Sequence, residues 1–139
     1  ESPRKSFLAS AIGYQACSLN KKVAYFSLPK LLGKIKTDKI DGAFRKETER
    51  IESKHLLILD DWGLTPLDTQ SRLALLHIIE DRHNKYATII TSQLPVTAWY
   101  QYIGDDTIAD AILDRIIHQA HRIDLKGESL RKFTRNNNK

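Results

Sequence analysis

Residues 55–67 read HLLILDDWGLTPL: four consecutive apolar side chains, Leu56 to Leu59, run straight into the adjacent carboxylates Asp60 and Asp61. A continuous apolar run bounded by charge, then by Gly63 and Pro66, is the pattern of a strand buried on both faces. Carboxylates at the end of such a strand are costly unless their charge is compensated, and a metal ion is the usual compensation. Two readings fit the stretch. One is a buried parallel strand that places a carboxylate on Mg²⁺, as in phosphate-handling α/β domains. The other is a core strand followed by an ordinary Asp-rich turn.

The surrounding chain narrows the fold. Its 139 residues are enough for one domain with a sizeable core. Apolar spacing predicts a helix over Lys5 to Leu19, facing inward through Phe7, Leu8, Ala11, Ile12, Ala16 and Leu19. Val23 to Phe26 reads as a strand. Ser27 and Pro29 open a helix with Leu28, Leu31, Leu32 and Ile35 on one face. A polar link at Lys36 to Asp41 precedes a short helix near Ala43 to Glu52. Asp68 caps a long helix whose stripe is Leu73, Leu75, Leu76 and Ile79. Ala87 to Thr91 is the next strand, Val96 to Ile103 and Thr107 to Ala120 are helices, and His121 to Leu125 is a candidate last strand. Strands alternating with helices predict an α/β domain with a parallel sheet covered on both faces.

Charge is unevenly distributed. Residues 1–55 carry a balance of +6, residues 56–120 of −5 and residues 121–139 of +4. The acidic centre suits a metal, and the basic flanks suit phosphate backbones. No apolar run approaches the length of a membrane span. The single Cys17 leaves no internal disulfide, as expected of a reducing cytoplasm. The histidines have no zinc-like spacing with Cys17.

Four pieces stand in a telling order: Lys5-Ser6 opening a helix, Asp60-Asp61 after a strand, Thr91-Ser92-Gln93 after the next, and Leu113-Asp114-Arg115 on a late helix. With the strings KSFLASAIGYQAC, FSLPKLLGKIK, LLILDDWGLTPLD, IITSQLP and ILDRIIHQAHRIDLKGESLRK, the chain resembles the AAA+ ATPases of the DnaC/IstB branch. Among these it looks most like the IstB-type transposition helpers. The resemblance implies a three-layer α/β/α P-loop NTPase core over residues 1–130, with a basic polar tail at 131–139.

It also implies roles. Lys5 would reach the ATP phosphates and Ser6 would hold Mg²⁺ with Asp60. Asp61 would polarise the attacking water. Ser92 and Gln93 would sense the γ-phosphate. Arg115 would act in trans on ATP held by a neighbouring copy in a homo-oligomer, and Arg131 would be a sensor-2-type arginine. Lys30, Lys34, Lys36 and Lys39 fall in the branch's DNA-facing helical segment. Expected partners are double-stranded DNA and a transposase, and no membrane. A replicative helicase loader and a nucleotide-dead DNA-binding module are the alternatives.

One element departs from the pattern. The template G-x-x-G-x-G-K-[ST] puts glycines at Ser2 and Arg4, and the strand before the loop is absent from this chain. Proline at position 3 lacks an N–H, and arginine resists positive φ, so these residues cannot wrap phosphates. The chain as it stands is expected to bind ATP poorly.

Overall fold

The computed structural model describes residues 2–42, 44–118 and 120–125 and builds them around one parallel sheet in the order β1-β2-β3. The strands are β1 (Val23–Ser27), β2 (Leu56–Trp62) and β3 (Ala87–Ser92). β2 lies between the others, with Val23 level with Leu56 and Ser27 level with Asp60 on one side, and Leu56 level with Ala87 on the other. That central position explains the unbroken apolar run, because a middle strand of a covered parallel sheet has no solvent face. The strand continues through both aspartates to Trp62 instead of stopping before them, and its pairing with β3 is irregular between Leu59 and Trp62.

The helices are α1 (Ser2–Ser18), α2 (Leu28–Asp41), α3 (Phe44–Glu52), α4 (Thr69–Arg82), α5 (Trp99–Ile103, entered from a 3-10 turn at Val96–Ala98) and α6 (Asp106–Ile117). Leu57 and Leu59 face the larger core with Leu28, Leu31, Leu32, Ile35, Leu75, Ile78, Ile103 and Ile112. Leu56 and Ile58 face Ala9 and Ala16 of α1. The sheet is therefore covered on both faces. No helix among the described residues is long and apolar enough to cross a membrane.

Several local expectations change. Lys36 to Asp41 is not a link but the last turns of α2, since lysine, threonine and aspartate do not break a helix; Gly42, at φ 79°, ends it. In α4 the inward stripe is Ala74, Leu75, Ile78 and Ile79, and Leu73 is 53% exposed. Asp68 caps α4 as expected, accepting the Ser71 N–H at 2.8 Å. His121 to Leu125 forms no strand; its side chains lie largely in solvent, with no strand beside them among the described residues. The helix α1 is rotated from the face its apolar spacing suggests, and of the expected stripe Ala16 packs on the sheet. Ala9, Gly13 and Ala16 face the sheet, leaving Phe7, Leu8, Ile12 and Leu19 exposed. The predicted tail lies outside the described residues.

The small residues of α1 explain that orientation. A Cβ on Gly13 would stand 3.0 Å from Ile58 Cδ1 and 3.5 Å from Val23 Cγ1, so the helix sits too close to the sheet for a larger side chain there. At the edge where the strands begin, Arg82 is buried at 2% exposure and joins three segments. Nη1 donates to the carbonyls of Ile51 (3.0 Å) and Lys54 (2.7 Å), Nη2 to that of Ala87 (2.6 Å) and Nε to Thr88 Oγ1 (3.1 Å). Burial lowers its pKa to about 10, which leaves it charged at neutral pH.

Gly13→Val should cost about 1–3 kcal/mol in urea unfolding by overpacking this contact. Gly33, inside α2 with nothing within 4 Å of an added Cβ, should instead gain about 0.5–1 kcal/mol on Gly33→Ala. Equal effects at the two positions would contradict the close seating of α1.

Candidate functional site

At the opposite, carboxyl-terminal end of the strands, Asp60 is 8% exposed and gathers side chains from three elements. Ser6 Oγ of α1 lies 2.8 and 3.0 Å from its two carboxylate oxygens. Tyr25 of β1 and Thr91 of β3 each donate a hydroxyl hydrogen bond to it, and the Asp61 backbone N–H adds a fourth donor at 3.1 Å. Burial alone would raise the Asp60 pKa; the hydrogen bonds from Thr91, Tyr25, Ser6 and Asp61 outweigh it and hold the carboxyl below its ordinary value. Conversely, burial and then the Asp60 carboxylate push the Tyr25 phenol up, so Tyr25 stays a donor.

Asp61 occupies a left-handed conformation, φ 62°, inside the irregular stretch between Leu59 and Trp62. Such irregularities re-aim side chains at sheet edges and sites. Here the two neighbouring aspartates, which strict alternation would send to opposite faces, both line one cavity of about 260 Å³. Lys5, Thr91, Ser92 and Gln93 line it as well. Lys5 Nζ donates to the Ser92 carbonyl at 2.5 Å. Gly63, at φ 88°, continues the turn, and a Cβ there would come within 3.0 Å of Leu94.

The structure thus brings together Lys5, Ser6, Asp60, Asp61, Ser92 and Gln93. The hydroxyl of Ser92 is occupied in closing the turn: it donates to the Trp62 carbonyl at 2.6 Å and accepts the Leu94 N–H at 3.0 Å. Arg115 is not among the cavity residues; it donates to the Ala111 carbonyl at 2.7 Å and pairs with Glu80 at 3.3 Å. Arg131 lies outside the described residues. Lys30 is exposed, Lys34 pairs with Glu47 at 3.1 Å and Lys36 pairs with Asp68. Lys39 belongs to α2, and its side chain is outside the described set. Trp62 is core, tilted against Trp99 with ring centroids 5.1 Å apart.

Sequence reasoning missed Thr91 and Tyr25. What selects them is the strand register, which only the paired sheet supplies. Leu59 pairs with Ile90, which puts the next residue, Thr91, beside Asp60; Ser27 pairs with Asp60, and Tyr25 lies two residues back on the same face. The donor set of a serine hydroxyl and adjacent carboxylates is all hard oxygen and fits Mg²⁺. The phosphate cradle does not fit within this chain, because Ser2, Pro3 and Arg4 are already helical in α1.

Comparisons with known proteins give the family and the fold. The family described as IstB-like ATP binding protein matches residues 3–138. A Sinorhizobium fredii protein named as an insertion sequence ATP-binding protein, y4pL, is 51% identical over 94% of this chain and 54% of its own length. The IS21 ATP-binding protein named in Pseudomonas aeruginosa is 28% identical over 91% of this chain and 48% of its own. The chain therefore spans about half the length of these relatives. Among solved structures, AMPPCP-bound DnaA from Aquifex aeolicus superposes with a TM-score of 0.67 at 18% identity, over 83% of this chain and 36% of its own. The DnaC helicase loader gives 0.63 at 21%, over 79% and 67%. These structural likenesses show the fold alone, an α/β architecture built on a parallel sheet.

The low Asp60 pKa supplies stability that is complete above the carboxyl's ordinary value and is lost as pH falls through the native one. Thr91→Val removes a donor, so the native pKa should rise and the acid-induced loss begin at higher pH. A carboxyl carbon-13 NMR titration of Asp60 reads this directly; an unmoved titration would mean that Thr91 does not hold the charge.

Proposed function

This chain belongs to the IstB-like ATP-binding protein family, and from that premise we propose that the longer protein is an ATP-dependent assistant of DNA transposition. The observation that carries the reading is the shared cavity of Lys5, Asp60, Asp61, Thr91, Ser92 and Gln93, with Ser6 hydrogen-bonded to Asp60 at its wall. Those residue types are what phosphoryl transfer requires, since it depends on positioning and charge stabilisation more than on covalent chemistry.

In this proposal Ser6 and Asp60 would hold Mg²⁺, which would neutralise phosphate charge. Lys5 leaves the Ser92 carbonyl for a phosphate oxygen. Asp61 orients water and accepts its proton as the water oxygen bonds to the γ-phosphorus and the bond from that phosphorus to ADP breaks. Thr91 and Tyr25 keep the Asp60 carboxylate ionised and fixed, and Gln93 faces the same space. Arg115 acts in trans, consistent with its position among Ala111 and Glu80 and away from its own chain's cavity. In this reading Ser2–Arg4, being helical, do not form the phosphate cradle. The insertion sequence names of the relatives support a transposase and its DNA as partners.

The alternative of a nucleotide-dead module rests on the helical Ser2–Arg4 segment. An ATPase assay of the longer protein separates the two. Asp61→Asn should lower kcat by roughly 100-fold or more while retaining ATP binding, on the scale of losing a general base. Equal, background-level turnover in both proteins favours the nucleotide-dead module.

Lys30, Lys34, Lys36 and Lys39 provide the DNA contacts in this reading, with Lys34 and Lys36 exchanging Glu47 and Asp68 for phosphates. Surface pairs of this kind are worth only about 0–1 kcal/mol and are readily exchanged. Charge reversal of Lys34, Lys36 and Lys39 together should weaken DNA binding and flatten its salt dependence, by about 0.9 in slope for each phosphate that is no longer neutralised. An unchanged slope removes these lysines from the interface.

A further inference from the structure

A second cluster of metal-ligating side chains lies away from the Asp60 cavity, where the end of α3 meets α4. Glu52, the last residue of α3, and His77 and Asp81, one turn apart on α4, bring one donor atom each within 4.8 Å of one another. His77 Nε2 stands 3.2 Å from Glu52 Oε1 and 3.2 Å from Asp81 Oδ2. Neither the resemblance nor the proposed ATP chemistry uses any of these residues.

Three observations point to a cation. First, Glu52 Oε1 is shut off from solvent and accepts no hydrogen bond, despite the nearby imidazole nitrogen. A buried carboxylate oxygen without a donor is costly. Second, one imidazole nitrogen faces two carboxylates, and a single N–H can serve only one of them well. Third, the spacing suits a metal. Donors held at 2.0–2.1 Å around a tetrahedral Zn²⁺ lie about 3.4 Å from one another, close to both observed separations. The imidazole favours a transition metal over Mg²⁺ or Ca²⁺, which prefer an all-oxygen shell. His77 is 54% exposed and Asp81 39%, so the outer side is open to water as a fourth ligand.

We propose that Glu52, His77 and Asp81 form a binding site for a divalent transition metal of the zinc type. Bound there, the ion cross-links α3 to α4 and fixes the α2–α3 segment against the rest of the domain. The lever is geometric: Glu52 ends α3 directly before the turn into β2, so holding it holds the end of that helix. Arg82, one residue beyond Asp81, already binds the neighbouring carbonyls of Ile51 and Lys54, so the frame around the site is preset.

The test is titration of Co²⁺ into the purified chain, followed by the visible absorption that a four-coordinate site gives, beside Zn²⁺-dependent thermal melting. One equivalent should bind with that band, and Zn²⁺ should raise Tm. His77→Gln and Glu52→Gln should each weaken binding by more than about tenfold and abolish the rise in Tm. His77 is exposed enough for its variant to fold, which an unchanged metal-free Tm verifies. His118 and Asp114 form a separate exposed pair, and His118→Gln should leave the band intact. Absence of a saturable band, or a band lost in His118→Gln but kept in His77→Gln, overturns the proposal. So does unchanged binding in Glu52→Gln.

Discussion

The carboxylate of Asp60 joins the first helix to the sheet and fixes the end of the central strand at the same time. Ser6, Tyr25 and Thr91 come from sequence positions far apart, and each donates to it. A buried carboxylate is unfavourable without such donors, so the register of β1 and β3 on β2 and the approach of α1 have to be mutually consistent. A slip of one residue in either neighbouring strand would turn its donor to the other face. The same network keeps the group charged, and a charged group is what a cation needs.

Arg82 makes the complementary connection at the other end of the sheet. Its guanidinium satisfies carbonyls that precede β2 and begin β3. The strands therefore run between a buried cation bonded to backbone oxygens and a buried anion bonded to hydroxyls. Between these ends the stability is ordinary apolar burial: Leu57 and Leu59 against α2, α4 and α6, and Leu56 and Ile58 against α1. The α1 side is the thinner contact, made by Ala9, Gly13 and Ala16. It leaves Phe7, Leu8 and Ile12 exposed.

This asymmetry explains where sequence reading failed. Apolar spacing in α1 ranks Phe7, Leu8 and Ile12 as the inward face, yet close packing on a sheet selects the small residues instead. In α4 the expected stripe took Leu73 for core and passed over Ala74 and Ile78, because the helix is rotated about its axis. The polar residues Lys36 to Asp41 read as a link because they lack an apolar stripe, but polarity does not stop a helix; Gly42 does. His121 to Leu125 has an alternating pattern, and alternation becomes a strand only beside a partner edge.

By itself the sequence determined the alternation of strands and helices as far as the last helix, the strand buried on both faces and the cap at Asp68, while the resemblance associated Lys5, Ser6, Asp60 and Asp61 with phosphate chemistry. These follow from local periodicity and from motif order, both of which are written along the chain. Only the tertiary structure decided that Thr91 and Tyr25 complete the hold on Asp60, that Ser92 is occupied in the turn, and that Arg115 lies outside the cavity of its own chain. It also brought Glu52 to His77 and Asp81. The physical reason is the same in each case: these contacts depend on strand register, a bulge and helix rotation, which are set by how separate elements pack and not by the spacing of residues within any one of them.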